Sequence, residues 1–441
     1  MGHRDPAIPP PALAAGPTRV RYQVLGFACS VAVISYIHRV GFASALHAVG
    51  GDLQLDERQT SYLTAAFLIA YGGFEIPCGL LADRLGVRHL LTVLVLGWSL
   101  LTACVALVGL VPGVWMLPLL FLLVLRFLFG MFQAGGFPSL ARMIADWMPM
   151  SDRASAQGLI WMCSRVGGAI VPLMYLGLVK LCHNWQAPLC VLAGLGVVWC
   201  VLFWPWFRNR PEEMPRVNAA ENAVIAAGRP PYPLGHGKVP WGKMLRSRSA
   251  WALCLTYGFG GFAANFYVTL LPNYLTSQRG LPDWQKDLFT SLPFACGAFA
   301  CLGAGLLSDW MIRRTGNRKW GRRLSGAVGL MAGALGWLGI NRVESPWALA
   351  MLLCVIFFCN DLAMGPAWAS CADIGERYAG TLGGAMNMLA NLFGAAGNVL
   401  TGHLFKENHP DWVFVLYAGS FALASLCWLG VDVTKPFTAK Q

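Results

Sequence analysis

The hydrophobic positions of this chain run together instead of recurring at helical or strand spacing. Apolar stretches of about twenty residues alternate with short polar breaks, and an α-helix needs that length to cross a bilayer. The pattern predicts spans near 22–46, 57–82, 89–111, 115–141, 154–179 and 186–206, then near 250–277, 285–312, 323–341, 346–371, 379–405 and 410–432. One long interruption, 207–249, is polar, rich in Pro and Gly, and carries charges of both signs. That is linker composition. The expected fold class is therefore an all-α membrane protein of twelve transmembrane helices in two six-helix bundles, 22–206 and 250–432, with tails at 1–21 and 433–441.

Composition agrees with lipid as the solvent. The chain is 56% hydrophobic and 12% charged, against about 25% charged in soluble domains, and mean hydropathy is +0.54. A net charge of +12 invites a nucleic-acid reading, but the bases form no single surface. Arg58, Lys180, Arg279, Lys286, Arg342 and Lys406 fall in odd-numbered loops, and Arg39, Arg126 and Arg165 fall inside spans. Every other Lys and Arg lies in an even-numbered loop or a tail. Basic residues stay on the cytoplasmic side, so both termini are expected in the cytoplasm and no nucleic-acid partner is expected. The 14 cysteines show neither zinc nor disulfide spacing, so no metal or cofactor is expected. Residues 1–20 are Pro/Ala-rich without a separate short apolar core, and the first apolar run is expected to be a span, not a cleaved leader.

Polar residues inside the spans carry the candidate chemistry. A charge at mid-bilayer costs about 2.5–3.5 kcal/mol on insertion scales, so each requires a reason. Arg39 follows His38 in the first span, and Arg126 lies inside the fourth. Seven residues advance a helix by about 10 Å and nearly two turns, so Arg126 shares a face with Gln133. Tyr71 and Glu75 in the second span, and Asn387 and Asn391 in the eleventh, are each four apart and face one way. Guanidiniums, one carboxylate, amides and hydroxyls would suit a carboxylate-bearing, hydroxyl-rich ligand. Arg165, which could instead lock its span to a neighbour, and Asp361 are further candidates. A generic alternative stands beside each: a snorkelling Arg39 near a helix end, a structural Arg126, a structural hydrogen-bonder at Glu75. No Ser/His/Asp grouping or phosphate-binding Gly loop supports an enzyme.

The loop Gly79-Leu-Leu-Ala-Asp83-Arg84-Leu-Gly86-Val-Arg88 has a fainter copy at Gly305-Leu-Leu-Ser-Asp309. Gly79 permits close helix packing, Asp83 can cap a helix end or pair with a base, and Gly86 supplies a tight turn. This resembles the loop between helices 2 and 3 of the major facilitator superfamily, with its counterpart in the second half. Arg126-Phe-Leu-Phe-Gly-Met-Phe-Gln133-Ala-Gly-Gly-Phe-Pro138, with Ala-Asp-Trp147 after it, is similar to the fourth helix of that superfamily's anion:cation symporter branch. The stretches Tyr71–Gly79, Asn265–Leu275 (with Tyr267) and Gly380–Leu392 resemble its second, seventh and eleventh helices.

The resemblance implies a secondary transporter of an organic anion, such as a sugar acid, working by alternating access with proton symport. It implies Arg39 and Arg126 on the carboxylate, and Tyr71, Gln133, Tyr267, Asn387 and Asn391 around the substrate. Two departures matter: many members carry an acid where this chain has His38, and many carry a titratable glutamate at Gln133. Proton coupling is thus expected to move to Glu75 or His38, or to pass to sodium. An organic-phosphate exchanger is the nearest alternative, disfavoured because 251–275 holds no Lys or Arg. A membrane ligand sensor is the alternative from another class. A monomer embedded in lipid, in a bacterial inner membrane, completes the expectation.

Overall fold

The structure is a computed structural model that describes residues 16–108, 116–227, 239–407 and 409–437. Among them it is helical with no strand: α1 (Val20–Asp52), α2 (Glu57–Leu85), α3 (Val87–Val105), α4 (Met116–Ala134), α5 (Gly136–Trp147), α6 (Arg153–Cys182) and α7 (Gln186–Trp206). Two short helices follow, α8 (Ala219–Ala226) and α9 (Trp241–Arg246). The second half holds α10 (Arg248–Thr269), the turn α11 (Leu271–Asn273), α12 (Asp283–Thr315), α13 (Arg318–Gly339), α14 (Pro346–Asp361), α15 (Met364–Gly375), α16 (Ala379–Lys406) and α17 (Pro410–Gly430). The expected end of the third span at 111 and start of the fourth at 115 lie outside the described residues.

Two of the twelve spans are broken helices, α4/α5 and α14/α15, and proline accounts for both. Pro138 has no N–H to give the carbonyl of Ala134, and Pro366 has none to give Leu362. The ladder stops at those carbonyls and restarts one to two residues later. Pro272 acts likewise on Val268, and α10 ends at Thr269. Among the described residues ten stretches are long and apolar enough to span a membrane by composition, one of them covering both the tenth and eleventh spans. The seventh span, α10, falls below that mark because Thr256, Tyr257, Asn265 and Tyr267 dilute it.

Helices pair in the same pattern in each half. In the first half α1 packs on α6, α2 on α4 and α3 on α7; in the second α10 packs on α16, α12 on α14 and α13 on α17. The halves meet through α2 with α16 and α6 with α12. Burial along these helices is uneven. Over 153–161 most of α6 is buried all round, but beyond Arg165 only Gly167, Val171 and Tyr175 are. In α16 residues 379–384 are all buried, whereas beyond Asn391 only Gly394, Gly397 and Thr401 are. The halves are therefore pressed together at one end and part toward the other.

Candidate functional site: an interhelical cavity with one unpaired arginine

The closed end is built by the two repeated loops. Gly79 lies so close to α16 that a Cβ would run into the Gly380 carbonyl, and Gly305 meets the Ala154 carbonyl of α6 in the same way. That approach carries each aspartate to the first turn of a helix in the opposite half. Asp83 accepts from Gly380 N at 3.0 Å, Thr381 N at 2.7 Å and Thr381 Oγ1 at 2.6 Å. Asp309 accepts from Ser155 N at 2.6 Å and Ala154 N at 3.4 Å. A carboxylate there satisfies orphan amides and meets the positive end of the helix dipole.

Gly86 turns the loop with φ +80°. Arg84 is exposed, while Arg88 Nε donates to Trp204 O at 2.9 Å, tying α3 to the end of α7. Sequence reasoning missed the groups that reinforce these latches. Arg142 stands 3.8 Å from Asp83. Arg322 pairs with Asp309 at 2.6 Å and with Asp373 at 3.2 Å, and Arg153 reaches Asp373 at 2.7 Å. Their signal was available only in part: Arg153 and Arg322 sit at helix starts, where a base reads as ordinary solvated charge.

Above the closed end lies a cavity with about 160 Å³ of water-accessible space, bordered by residues of both halves. Tyr71 and Glu75 of α2 meet Asn387 and Asn391 of α16 there. The Asn387 amide donates to Glu75 and, at 3.2 Å, to the Tyr71 hydroxyl. Asn391 Nδ2 donates to both Glu75 oxygens, at 3.1 and 3.2 Å. Two pairs read separately along the sequence are thus one cluster, with Glu75 fully buried inside it. Arg39 lines the cavity, its guanidinium 4.5 Å from the Tyr71 ring centroid and 5.4 Å from that of Tyr36. Its polar partner is Gln133 Oε1 at 3.2 Å, and among the described residues no carboxylate lies within ion-pair distance of it.

Other candidates stand elsewhere. Gln133 is buried between α1 and α4, accepting from Ser35 Oγ at 3.1 Å and donating to Ser35 O at 3.2 Å, so it supports Arg39 from behind. Arg126 is not in the cavity lining; its guanidinium lies over the rings of Phe42, Phe67 and Phe129, 3.9, 4.9 and 5.0 Å away. It makes no hydrogen bond or ion pair among the described residues. His38 is wholly buried, with Nδ1 2.9 Å from Ile34 O, and its ring faces Gly196 of α7. Tyr267 donates its hydroxyl to Leu353 O at 3.0 Å inside the aromatic core of Trp337 and Phe357. Arg165 does line the cavity and is locked to Asp361 of α14, Nε to Oδ2 at 2.9 Å and Nη2 to Oδ1 at 3.0 Å. Tyr36, Trp161, Tyr257 and Asn360 also border the space. Tyr36 could have been found, being three residues before Arg39 on one face. Asn360 also carried a signal, as an amide inside a span beside Asp361; Trp161 and Tyr257 sit on helices where nothing in the sequence sets them apart from core.

A cavity bordered by two halves with matching helix pairing, closed at one end by repeated Gly-Leu-Leu-x-Asp loops, is the architecture of one transporter class. The profile of the Major Facilitator Superfamily matches residues 28–398. The chain belongs to that superfamily. Curated relatives place it beside transporters of sugar acids and other anions. It is 31% identical to a probable sulfoacetate transporter of Cupriavidus necator, covering 92% of this chain and 94% of that protein. It is 27% identical to the hexuronate transporter of Bacillus subtilis (91% and 92%) and 26% identical to a probable galactarate/D-glucarate transporter of Escherichia coli (93% and 92%). The solved proton:xylose symporter has the same fold, with TM-score 0.74 at 14% identity over 94% of this chain and 96% of that one. As a superfamily member the chain is a multi-pass membrane transporter and not an enzyme.

Proposed function

We propose that this transporter moves an organic anion of the sugar-acid or small-carboxylate type by alternating access, with the acid group held by Arg39. The observation that carries this reading is the Arg39 guanidinium itself: it borders the cavity with a neutral amide as its polar partner and no carboxylate within ion-pair distance among the described residues. A charge within a membrane span without an ion pair requires a reason, and a substrate carboxylate supplies the missing partner. Tyr36 and Tyr71 beside it, and Asn387 and Asn391 across it, offer hydroxyl and amide groups to a polyhydroxylated body. Arg126 adds positive potential from behind the Phe67 ring. The relatives named for hexuronate, galactarate/D-glucarate and sulfoacetate transport favour the same class.

Movement would come from rocking of residues 22–206 against 250–432 about the cavity, joined through 207–249. The latches of Asp83 and Asp309 would hold the state described here and release in the opposite one. Coupling is assigned to Glu75, which is hydrogen-bonded across the two halves to Asn387 and Asn391 at the cavity and, unlike Asp361, is not held in an ion pair among the described residues; His38, facing α7, is the weaker candidate.

Uptake of labelled hexuronate, galactonate, galactarate and sulfoacetate into proteoliposomes tests this reading. A charge-assisted hydrogen bond is worth roughly 1.5–3 kcal/mol, so Arg39→Ala is expected to weaken binding more than tenfold, and Arg126→Ala less. Uptake of none of these anions, or binding indifferent to Arg39→Ala, would defeat it.

A further inference from the structure

Two carboxylates stand at the cavity, Glu75 bonded to Asn387 and Asn391, and Asp361 bonded to Arg165; Asp361 has had no role so far. It is wholly buried on α14, and both its oxygens are taken. Oδ2 receives Arg165 Nε and lies 3.6 Å from Cys301 Sγ; Oδ1 receives Arg165 Nη2 and, at 3.0 Å, Asn360 Nδ2. It is seated against Gly297, where a Cβ would collide with Oδ2. At this wall, then, the cavity meets a guanidinium whose charge is already matched from behind. At the α1 wall it meets Arg39, unmatched among the described residues, with Arg126 behind the shared Phe67 ring. A guanidinium without an ion pair among the described residues stands at one wall, with the Glu75 carboxylate beyond ion-pair distance of it, and a closed ion pair stands at another.

We infer that Asp361 makes the site selective for anions charged at one end only and turns away a second, distal acid. Resting on the reading that the substrate acid binds Arg39, this orients the rest of the molecule toward Arg165. Arg165 Nη1 makes no hydrogen bond among the described residues and can donate to what arrives there. A hydroxyl accepts that bond without adding charge. An acid would share the guanidinium with Asp361 and bring a second negative charge to a wall where Trp161, Phe294 and Phe357 lie 5.7, 5.8 and 5.1 Å from the Arg165 guanidinium carbon. Those rings supply no counter-charge, and an uncompensated charge in such surroundings is disfavoured. Asp361 is a specificity-determining residue that acts through Arg165 without touching substrate.

Galactonate and galactarate form the decisive pair, since they share one hydroxylated chain and differ in a terminal hydroxyl or carboxylate. Affinities of both would be measured by calorimetry on the purified full chain, for wild type, Arg39→Ala and Asp361→Asn. Wild type is expected to bind galactonate at least tenfold more tightly than galactarate. Asp361→Asn keeps an acceptor for Arg165 while freeing its charge, and is expected to shrink that ratio at least tenfold. Equal wild-type affinities, or a ratio unmoved by Asp361→Asn, would overturn the proposal. Should Asp361→Asn fail to fold, the wild-type ratio decides alone. Arg39-dependent binding that ignores the second acid sinks only this selectivity. Binding of neither compound, or binding indifferent to Arg39, removes the underlying reading and this one with it.

Discussion

Glu75 and Asn387 lie 312 positions apart, yet they share a hydrogen bond at the centre of the molecule. Each helix advertised a polar stripe through an i, i+4 pair, and only the approach of α2 to α16 makes the two stripes one cluster. Glu75→Gln keeps the shape and removes the titratable group. It is expected to abolish accumulation driven by a pH gradient while leaving substrate exchange across proteoliposomes intact. If the variant still concentrates substrate, coupling resides elsewhere, with a sodium ion the next candidate. Which polar residues occupy the spans was legible in the sequence, because charge in lipid demands a reason. Which way each points was not. Arg126, His38, Gln133 and Tyr267 looked like cavity residues, but two neighbouring faces of a helix differ by about 100° of rotation, and only helix packing selects between them.

At the scale of the element, most span ends were legible to within a few residues and the rest to about six, since apolar length is a strong signal, and the interruptions were less so. Pro138 and Pro366 were visible, yet proline in a membrane helix bends it or breaks it according to whether neighbours satisfy the freed carbonyl. The linker hid the most. Its composition is that of a loop, but Glu221 of α8 is fully buried and caps the start of α1. Glu221 accepts from Thr18 Oγ1 at 2.5 Å, Val20 N at 2.9 Å, Arg21 N at 3.0 Å and Arg21 Nη1 at 3.2 Å. Burial alone would raise its pKa, but the bonds from Thr18, Arg21 and Val20 and the Arg21 charge hold it below the ordinary carboxylate value. A depressed carboxylate stabilises the docked form above its undocked pKa, and that stabilisation fades as pH falls through the docked value. Acidification, and Glu221→Ala at neutral pH, are therefore expected to speed limited proteolysis of the linker. Equal cleavage rates would mean that α8 is not held by this cap. At the contact of α2 with α16, Gly79→Leu is expected to force the two helices apart. A cysteine at Ser155 should then react faster with a maleimide applied from the latch side. Unchanged labelling would mean that the closed end tolerates the added side chain.

For the whole molecule, the contacts gather one set of segments on one face. Glu221 joins the start of α1 to the linker. Asn209, just beyond α7, accepts from Arg88 N at 2.9 Å beside the Gly86 turn. The end of α17 is tied to the start of α13, where Arg323 Nε donates to Val431 O at 2.5 Å and Lys319 pairs with Asp432 at 3.4 Å. Phe437 stacks on Tyr378, beside the first turn of α16 that Asp83 caps. Both ends of the described chain, the linker and the two latch loops therefore share a face. It is the face that carries Arg84, Arg88, Arg313, Arg314 and Arg318, and bases are retained on the cytoplasmic side. The latches would then close the cytoplasmic end, and the cavity would be directed outward in the state described. A reporter fused after Gln441 is expected to be active only in the cytoplasm, and one inserted between Arg279 and Lys286 only outside. The two fusions must disagree for this orientation to hold. A C-terminal reporter active outside would invert the molecule, turn the cavity inward, and make Asp83 and Asp309 latches of the external side.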